Sequence, residues 1–257
     1  MISGAGMAVG AACLAIVAAR GGFGDPNAID LSARFAPISG THPLGADHIG
    51  RDLLARMTTG AARTLIAVIV ALAISLSIGV AMGVAAALAT GAREVFLLRL
   101  TQATAATPRL VIALALTAVT GMEPISAGLA VALTSWARYA LVAHGLAGEV
   151  MAREHWRAAL ALGVHPLRAS YRHILPILSA PMRAFAGADG GRIVVIFASL
   201  AFLGLGADTG ASDWGAMAWE YRLFLFEAPR LALTPLAAIV GLSLALHLAC
   251  EPPKISA

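Results

Sequence analysis

The chain has 257 residues, of which 59% are hydrophobic and only 12% charged, and its mean hydropathy is +0.83. A soluble domain carries about 25% charged residues, so this composition excludes an ordinary water-soluble globule. It also excludes a disordered chain, which needs low hydrophobicity and high charge. The net charge is +4, and the 18 basic residues are arginines but for Lys254. They are spread between apolar segments rather than gathered on one patch, which argues against a nucleic-acid partner and for membrane topology and contact with lipid headgroups. Cys13 and Cys250 sit near opposite ends, too few for a disulfide framework and without metal-ligand spacing.

In chain order, residues 2–19 are apolar and end at Arg20, without the basic start of a signal peptide, which predicts a first transmembrane helix. In the polar stretch that follows, Asp47 is placed to cap a short helix with Leu53, Leu54 and Met57 on its apolar side. His42, Asp47 and His48 invite a metal-site reading. Two of the three are adjacent, and Pro43 and Gly45 are turn residues, so no metal site is assigned. Between Arg63 and Arg93 lie 29 uncharged residues. Their core, 65–89, is the clearest span, since about 20 apolar residues cross the hydrocarbon, and its Ala, Gly and Ser content suits close helix packing in lipid.

Residues 101–121 and 124–143 predict two more spans, turned at Gly121 and Glu123. Arg109 follows Pro108 inside the first and is expected to face protein or to snorkel. Arg138 is expected near the end of the second, where snorkelling is easy. A span over 185–206 contains Asp189 and Arg192, three apart on one helical face and able to pair. The last span, 231–249, contains His247. The expected fold is therefore all-α and polytopic, with six transmembrane helices. Residues 1–64 supply the first helix and an external segment, 65–251 the core, and 252–257 a short tail.

The polar stretch 144–183 is the most informative. Residues 155–162 are helical in pattern, Gly163 stops them, Val164-His165-Pro166 turns the chain, and a second helix runs to Leu175 before Pro176 ends it. A helix–turn–helix bearing Arg157, Arg168 and Arg172 between two spans is more than a connector needs, and long connections are usually functional. It suggests a docking surface for a soluble partner; an interfacial helix among headgroups is the alternative. With the N-terminus inside, the inner loops hold eight basic residues and the outer ones seven, so charge alone leaves the orientation open. Trp214, Trp219 and Tyr221 fit an aromatic belt at the membrane interface or a substrate-contacting lid.

No phosphate-binding Gly-rich loop, His-Glu-x-x-His or nucleophile elbow is present. The chain is thus not expected to be an enzyme. If it moves a solute uphill, the energy comes from a partner's ATP hydrolysis or from an ion gradient. Arg109, Asp189 and Arg192 are the intramembrane candidates for the second route.

Four stretches carry a family resemblance: His42-Pro-Leu-Gly-Ala-Asp-His-Ile-Gly-Arg-Asp52 with Gly60-Ala-Ala-Arg-Thr-Leu65; Ser135-Trp-Ala-Arg-Tyr139; Ala158-Ala-Leu-Ala-Leu-Gly163 running to Arg172-His-Ile-Leu-Pro176; and Ser199-Leu-Ala-Phe-Leu-Gly-Leu-Gly206 with Ser212-Asp-Trp-Gly215. The chain resembles the inner-membrane permease subunit of bacterial ABC importers, in the dipeptide, oligopeptide and nickel group. That resemblance implies a type I permease fold with both termini cytoplasmic in the bacterial inner membrane. It implies a second permease subunit, two ATPase subunits that hold ATP and Mg2+, and an external substrate-binding protein; this chain holds no cofactor. The ATPase-coupling residues would be Arg157, Ala158, Ala159, Gly163, Pro166, Arg168, Arg172 and Pro176. The external motif would contain His42, Asp47, Gly50, Arg51 and Asp52, and Arg109, Asp189, Arg192 and His247 would be polar groups of the membrane interior or pathway. The chain departs from the family's pattern in having Arg157 where the coupling motif often opens on glutamate, Phe197 where a glutamate is common, and His247 where asparagine is frequent. Cargo stays open between nickel or a metal chelate and small peptides.

Overall fold

The computed structural model describes residues 24–203 and 212–249, all of them helical or irregular apart from one isolated bridge between Ala46 and Asp52. The predicted span at 2–19, the glycines at 204 and 206, Cys13, Cys250 and the tail lie outside the described residues.

Helix α1 runs from Leu53 to Leu88. Its cap is Asp52, whose carboxylate accepts the Ala55 N–H at 2.8 Å, and not Asp47. The expected short helix and the expected span from 65 are one element. Arg56 and Arg63 do not interrupt it because each finds acidic partners beyond the helix. At 1.5 Å per residue α1 is about 54 Å long, more than the hydrocarbon core requires.

Helix α1 packs along α4, Pro124–Met151. Every fourth residue of one α1 stripe is small and buried: Ala67, Ala71, Ser75, Gly79 and Gly83. A Cβ on Gly83 would come within 2.7 Å of the Ala143 Cβ, and one on Gly128 of α4 within 2.8 Å of the Ala67 carbonyl oxygen. Without a hydrophobic force between helices in lipid, close backbone approach is what holds such a pair. Helix α4 continues eight residues past the expected end at 143, which puts Arg138 at mid-helix rather than at a snorkelling end.

The expected single span at 101–121 is broken. Helices α2, Ala92–Ala106, and α3, Arg109–Thr120, meet at 82°. Pro108 lacks the N–H that would continue the ladder, and it biases Thr107 to extended backbone (φ −74°, ψ 142°).

Beyond α4 come α5, Glu154–Ala161, and α6, Pro166–Ala169. A π-turn at Ser170–Ile174 joins α6 to α7, Leu175–Phe202, as one continuous stretch Pro166–Phe202. Pro176 therefore does not end a helix. The Leu175 N–H bonds back five residues to the Ser170 carbonyl, and this widened turn leaves room for the ring one residue on. The short α8, Trp214–Tyr221, leads through Arg222–Phe224 to α9, Pro229–Ala249.

Four of these stretches, α1, α4, Pro166–Phe202 and α9, are long and apolar enough to cross a membrane, and the bent α2–α3 pair makes a fifth if it is one span. The protein is thus an all-α polytopic membrane protein. Exposed Ile69, Val111, Leu129, Val195, Val240 and Leu244 give these helices lipid-compatible faces.

Candidate functional site

Three polar features interrupt this apolar bundle: one beyond each end and one at its middle.

At the Leu88 end the chain projects between α4 and α7. Trp156, 3% exposed, anchors α5 in a cluster with Val84, Tyr139, Ala143, Ala147, Ala169, Ile174 and Leu178. Helix α5 ends in a Schellman arrangement: the Gly163 N–H donates to the Leu160 carbonyl at 2.9 Å and the Val164 N–H to the Ala159 carbonyl at 3.1 Å. Gly163 has φ +81°, the left-handed region that glycine enters without cost. His165 then caps α6, its Nδ1 accepting the Leu167 N–H at 3.3 Å, with Pro166 in the first turn. The outward side of this turn is exposed and mixed in character. Leu162 is 84% and Tyr171 77% exposed, Leu167 is exposed, and Arg157, Arg168 and Arg172 stand among them. Of the other residues assigned to coupling, Ala158, Pro166 and Pro176 are exposed and Ala159 is half-buried. An anchored turn that presents exposed apolar and cationic groups together has the mixed character found at protein interfaces.

At the Leu53 end the stretch from His42 to Asp52 folds into a buried ionic brace. Asp47 is fully buried and accepts the N–H groups of Ile49 at 3.0 Å and Arg51 at 2.9 Å, the Arg51 Nε at 2.6 Å, the Arg56 Nη1 at 3.0 Å and the Tyr221 hydroxyl at 3.1 Å. Arg56, equally buried, also donates to Tyr221 at 2.7 Å and to Glu220 Oε2 at 3.0 Å, and Arg51 bonds Glu220 from the other side. Burial opposes ionisation of Asp47, yet the two N–H groups and the Arg51 charge outweigh it and hold the carboxyl below its ordinary value. Burial likewise lowers His48, against the pull of Asp47 and Glu220, so its neutral form is favoured. Gly50 has φ +82° with the Asp30 backbone against its Cα, which leaves no room for a side chain. His42 lies apart from Asp47, its Nδ1 2.8 Å from Asp52 Oδ2.

Sequence reasoning missed Glu220, which completes a potential metal triad with Asp47 and His48, ligand atoms within 4.8 Å of one another. Two guanidinium groups already occupy both carboxylates, so a cation would have to displace them; the chemistry is that of an ion-pair network. The aromatic belt also needs correction. Trp214 is buried and donates its Nε1–H to the Met57 carbonyl at 3.0 Å, and Tyr221 is fully buried in the brace. Trp219 alone of the three is exposed, with Arg222 stacked 3.2 Å from its ring centre. Beside them Asp213 bonds Arg63 at 2.9 Å, but its burial outweighs that attraction and raises the carboxyl.

In the middle of the bundle Asp189, 1% exposed, does not pair with Arg192. It bonds Arg138 of α4 and lies 3.7 Å from Arg109 of α3. Arg192 is exposed and makes no ion pair among the described residues. His247 is exposed, and Phe197 packs in the core with Ile193 and Leu200.

Residues 76–249 match the family described as "Binding-protein-dependent transport system inner membrane component". The chain is similar to the metal-staphylopine import system permease protein of Staphylococcus aureus, 34% identical over 91% of this chain and 81% of that one. It is 32% identical to the probable D,D-dipeptide transport system permease protein of Escherichia coli, over 84% of this chain and 72% of the relative. The nickel transport system permease protein of Escherichia coli is 27% identical, over 80% and 74%.

Proposed function

Because the chain belongs to the family of binding-protein-dependent transport system inner membrane components, we propose that it lets a small solute through the bacterial inner membrane while partner ATPases grip it at the Arg153–Ile174 turn. It is a transport permease of the ABC importer type and not an enzyme. The cargo we assign is a metal chelate, nickel or a small peptide, the classes named for its relatives.

The observation that carries the coupling assignment is the turn itself. It combines a buried anchor at Trp156, a capped and conformationally fixed Gly163, and exposed Leu162, Leu167 and Tyr171 among three arginines. An anchored helix end is suited to passing a push from a partner into the bundle as a shear. Arg168 and Arg172 would take acidic groups of that partner. ATP and Mg2+ belong to the partner in this account, and a second permease subunit and an external binding protein complete the assembly. Six spans follow if residues 2–19 cross and the bent α2–α3 pair counts once. Both termini are then on the side of the coupling turn, and the brace faces outward beside the binding protein.

The ion-gradient alternative needs an accessible membrane carboxylate. Asp189 is 1% exposed and shared by two arginines, which does not favour it.

The test is copurification of the ATPase subunits with the permease pair. Leu162→Asp with Arg172→Glu is expected to abolish it while the permease stays monodisperse. Retained association together with retained transport would remove the assignment.

A further inference from the structure

The charges at the middle of the bundle do not balance. Asp189 is the one acidic group there among the described residues, and it is already bonded by Arg138 and approached by Arg109, whose Nη1 also lies 3.4 Å from the Ser135 hydroxyl. Arg109 and Arg138 both reach Asp189, and Arg192 follows Asp189 by three residues, on the same side of α7, so the three cations share one level of the bundle. Arg192 has no ion pair among the described residues and is exposed, and Arg109 and Arg138 remain 20% and 23% exposed.

Their height makes this costly unless it serves a purpose. At 1.5 Å per residue the four groups lie about 15–21 Å from the ends of their helices at the Leu53 face. Half of a roughly 30 Å hydrocarbon layer is about 15 Å, so these groups sit beyond easy reach of lipid headgroups. An arginine facing lipid there costs about 2.5–3.5 kcal/mol. Such residues therefore face a water-filled pathway or another protein chain. The 82° break places the start of α3 at the same level, with Arg109 as its first residue. The positive end of that helix adds to the field of the guanidinium groups. Three buried polar atoms at this level, Arg138 Nε, Asp189 Oδ2 and the Tyr139 hydroxyl, lack a well-formed hydrogen bond among the described residues, although Tyr139 and Asp189 lie close enough to interact.

We propose that Arg109, Arg138 and Arg192, arranged around Asp189 at mid-membrane, form a station that takes the carboxylate of an anionic solute on its way through the permease. This rests on the importer reading and narrows it to carboxylate-bearing cargo. Asp189 neutralises one arginine and fixes the positions of two. The remaining charge is left for a solute, which a guanidinium receives with two parallel hydrogen bonds. Only partial neutralisation is useful here, because a pathway site must hold its solute briefly and release it.

The complex of both permeases, ATPases and binding protein is reconstituted in liposomes, and ATP-driven uptake is followed for two probe pairs. These are D-alanyl-D-alanine against its C-terminal amide, and nickel with histidine against nickel with histidinamide. At least one acid form is expected to enter tenfold or more faster than its amide. Arg109→Gln and Arg192→Gln are expected to raise its half-saturating concentration at least tenfold, with Arg192→Lys restoring most of the loss. Equal uptake of acid and amide, or refusal of both acid probes, overturns the assignment. It is also overturned if either glutamine variant separates the permease pair on size-exclusion chromatography, because the charges would then belong to the subunit interface. ATPase copurification reports on the importer reading separately, so a failure of one can be told from a failure of the other.

Discussion

Gly163 separates two accounts of the coupling turn. Its φ of +81° demands the left-handed region, where a residue with a Cβ pays about 1–2 kcal/mol. A Cβ built on it meets nothing within 4 Å inside this chain. If conformation is what matters, the substituent's tolerance of positive φ decides the outcome. Asparagine enters that region more readily than alanine, and a β-branched residue least. Gly163→Asn is therefore expected to keep most transport, Gly163→Ala to lose about tenfold, since 1.4 kcal/mol is a factor of ten, and Gly163→Val to lose more. If instead the ATPase packs against the glycine face, size decides, and alanine must outperform the larger asparagine. Transport-coupled ATP hydrolysis by the reconstituted complex gives the order directly. Alanine above asparagine would refute the conformational argument.

The brace makes further predictions. Arg56→Met removes one of two arginines shared by Asp47 and Glu220 and should cost about 3 kcal/mol, the low end for breaking a buried pair, because Arg51 still serves both carboxylates. Adding Arg51→Met leaves Asp47 buried with backbone partners and Tyr221 alone. The double variant should therefore cost more than the sum of the singles, read as proteolytic release of residues 24–52. His48 is held below its ordinary value, so an unfolded His48 takes up its proton first. Its contribution is complete above about pH 6.5 and declines as pH falls through the folded value. Release of residues 24–52 should thus rise between pH 7.5 and 5, and His48→Gln should flatten that slope. In the bundle, Gly79→Leu puts a side chain where a Cβ alone would come within 2.6 Å of the Trp136 carbonyl, and should lower the thermal midpoint in detergent by parting α1 from α4.

What the sequence disclosed follows from range. Periodicity and apolar length located the helices because those signals are local. The charges at Arg56 and Arg63 are accommodated at the start of α1 by Asp47, Glu220 and Asp213, all outside the helix and the last two at least 150 residues away. The same limit explains Asp189. Arg192 is its neighbour on the helix surface, but Arg138 and Arg109 reach it from two other helices. Pro176 does not end the helix because a π-turn absorbs the proline, and nothing in the local composition announces one. Gly163 was legible because a left-handed cap is a local requirement met by a local residue. Glu220 carried no signal beyond lying next to Tyr221, and only the fold brings it beside Asp47.

The proposed coupling requires the turn around Gly163 to lie in the cytosol, covered by an ATPase. Leu162→Cys, with Cys13 and Cys250 replaced by alanine, allows a membrane-impermeant maleimide to report on both points. Labelling is expected in inside-out but not right-side-out vesicles, with protection when the ATPase subunits are bound. Labelling from the external side, or labelling indifferent to the ATPase, would contradict it.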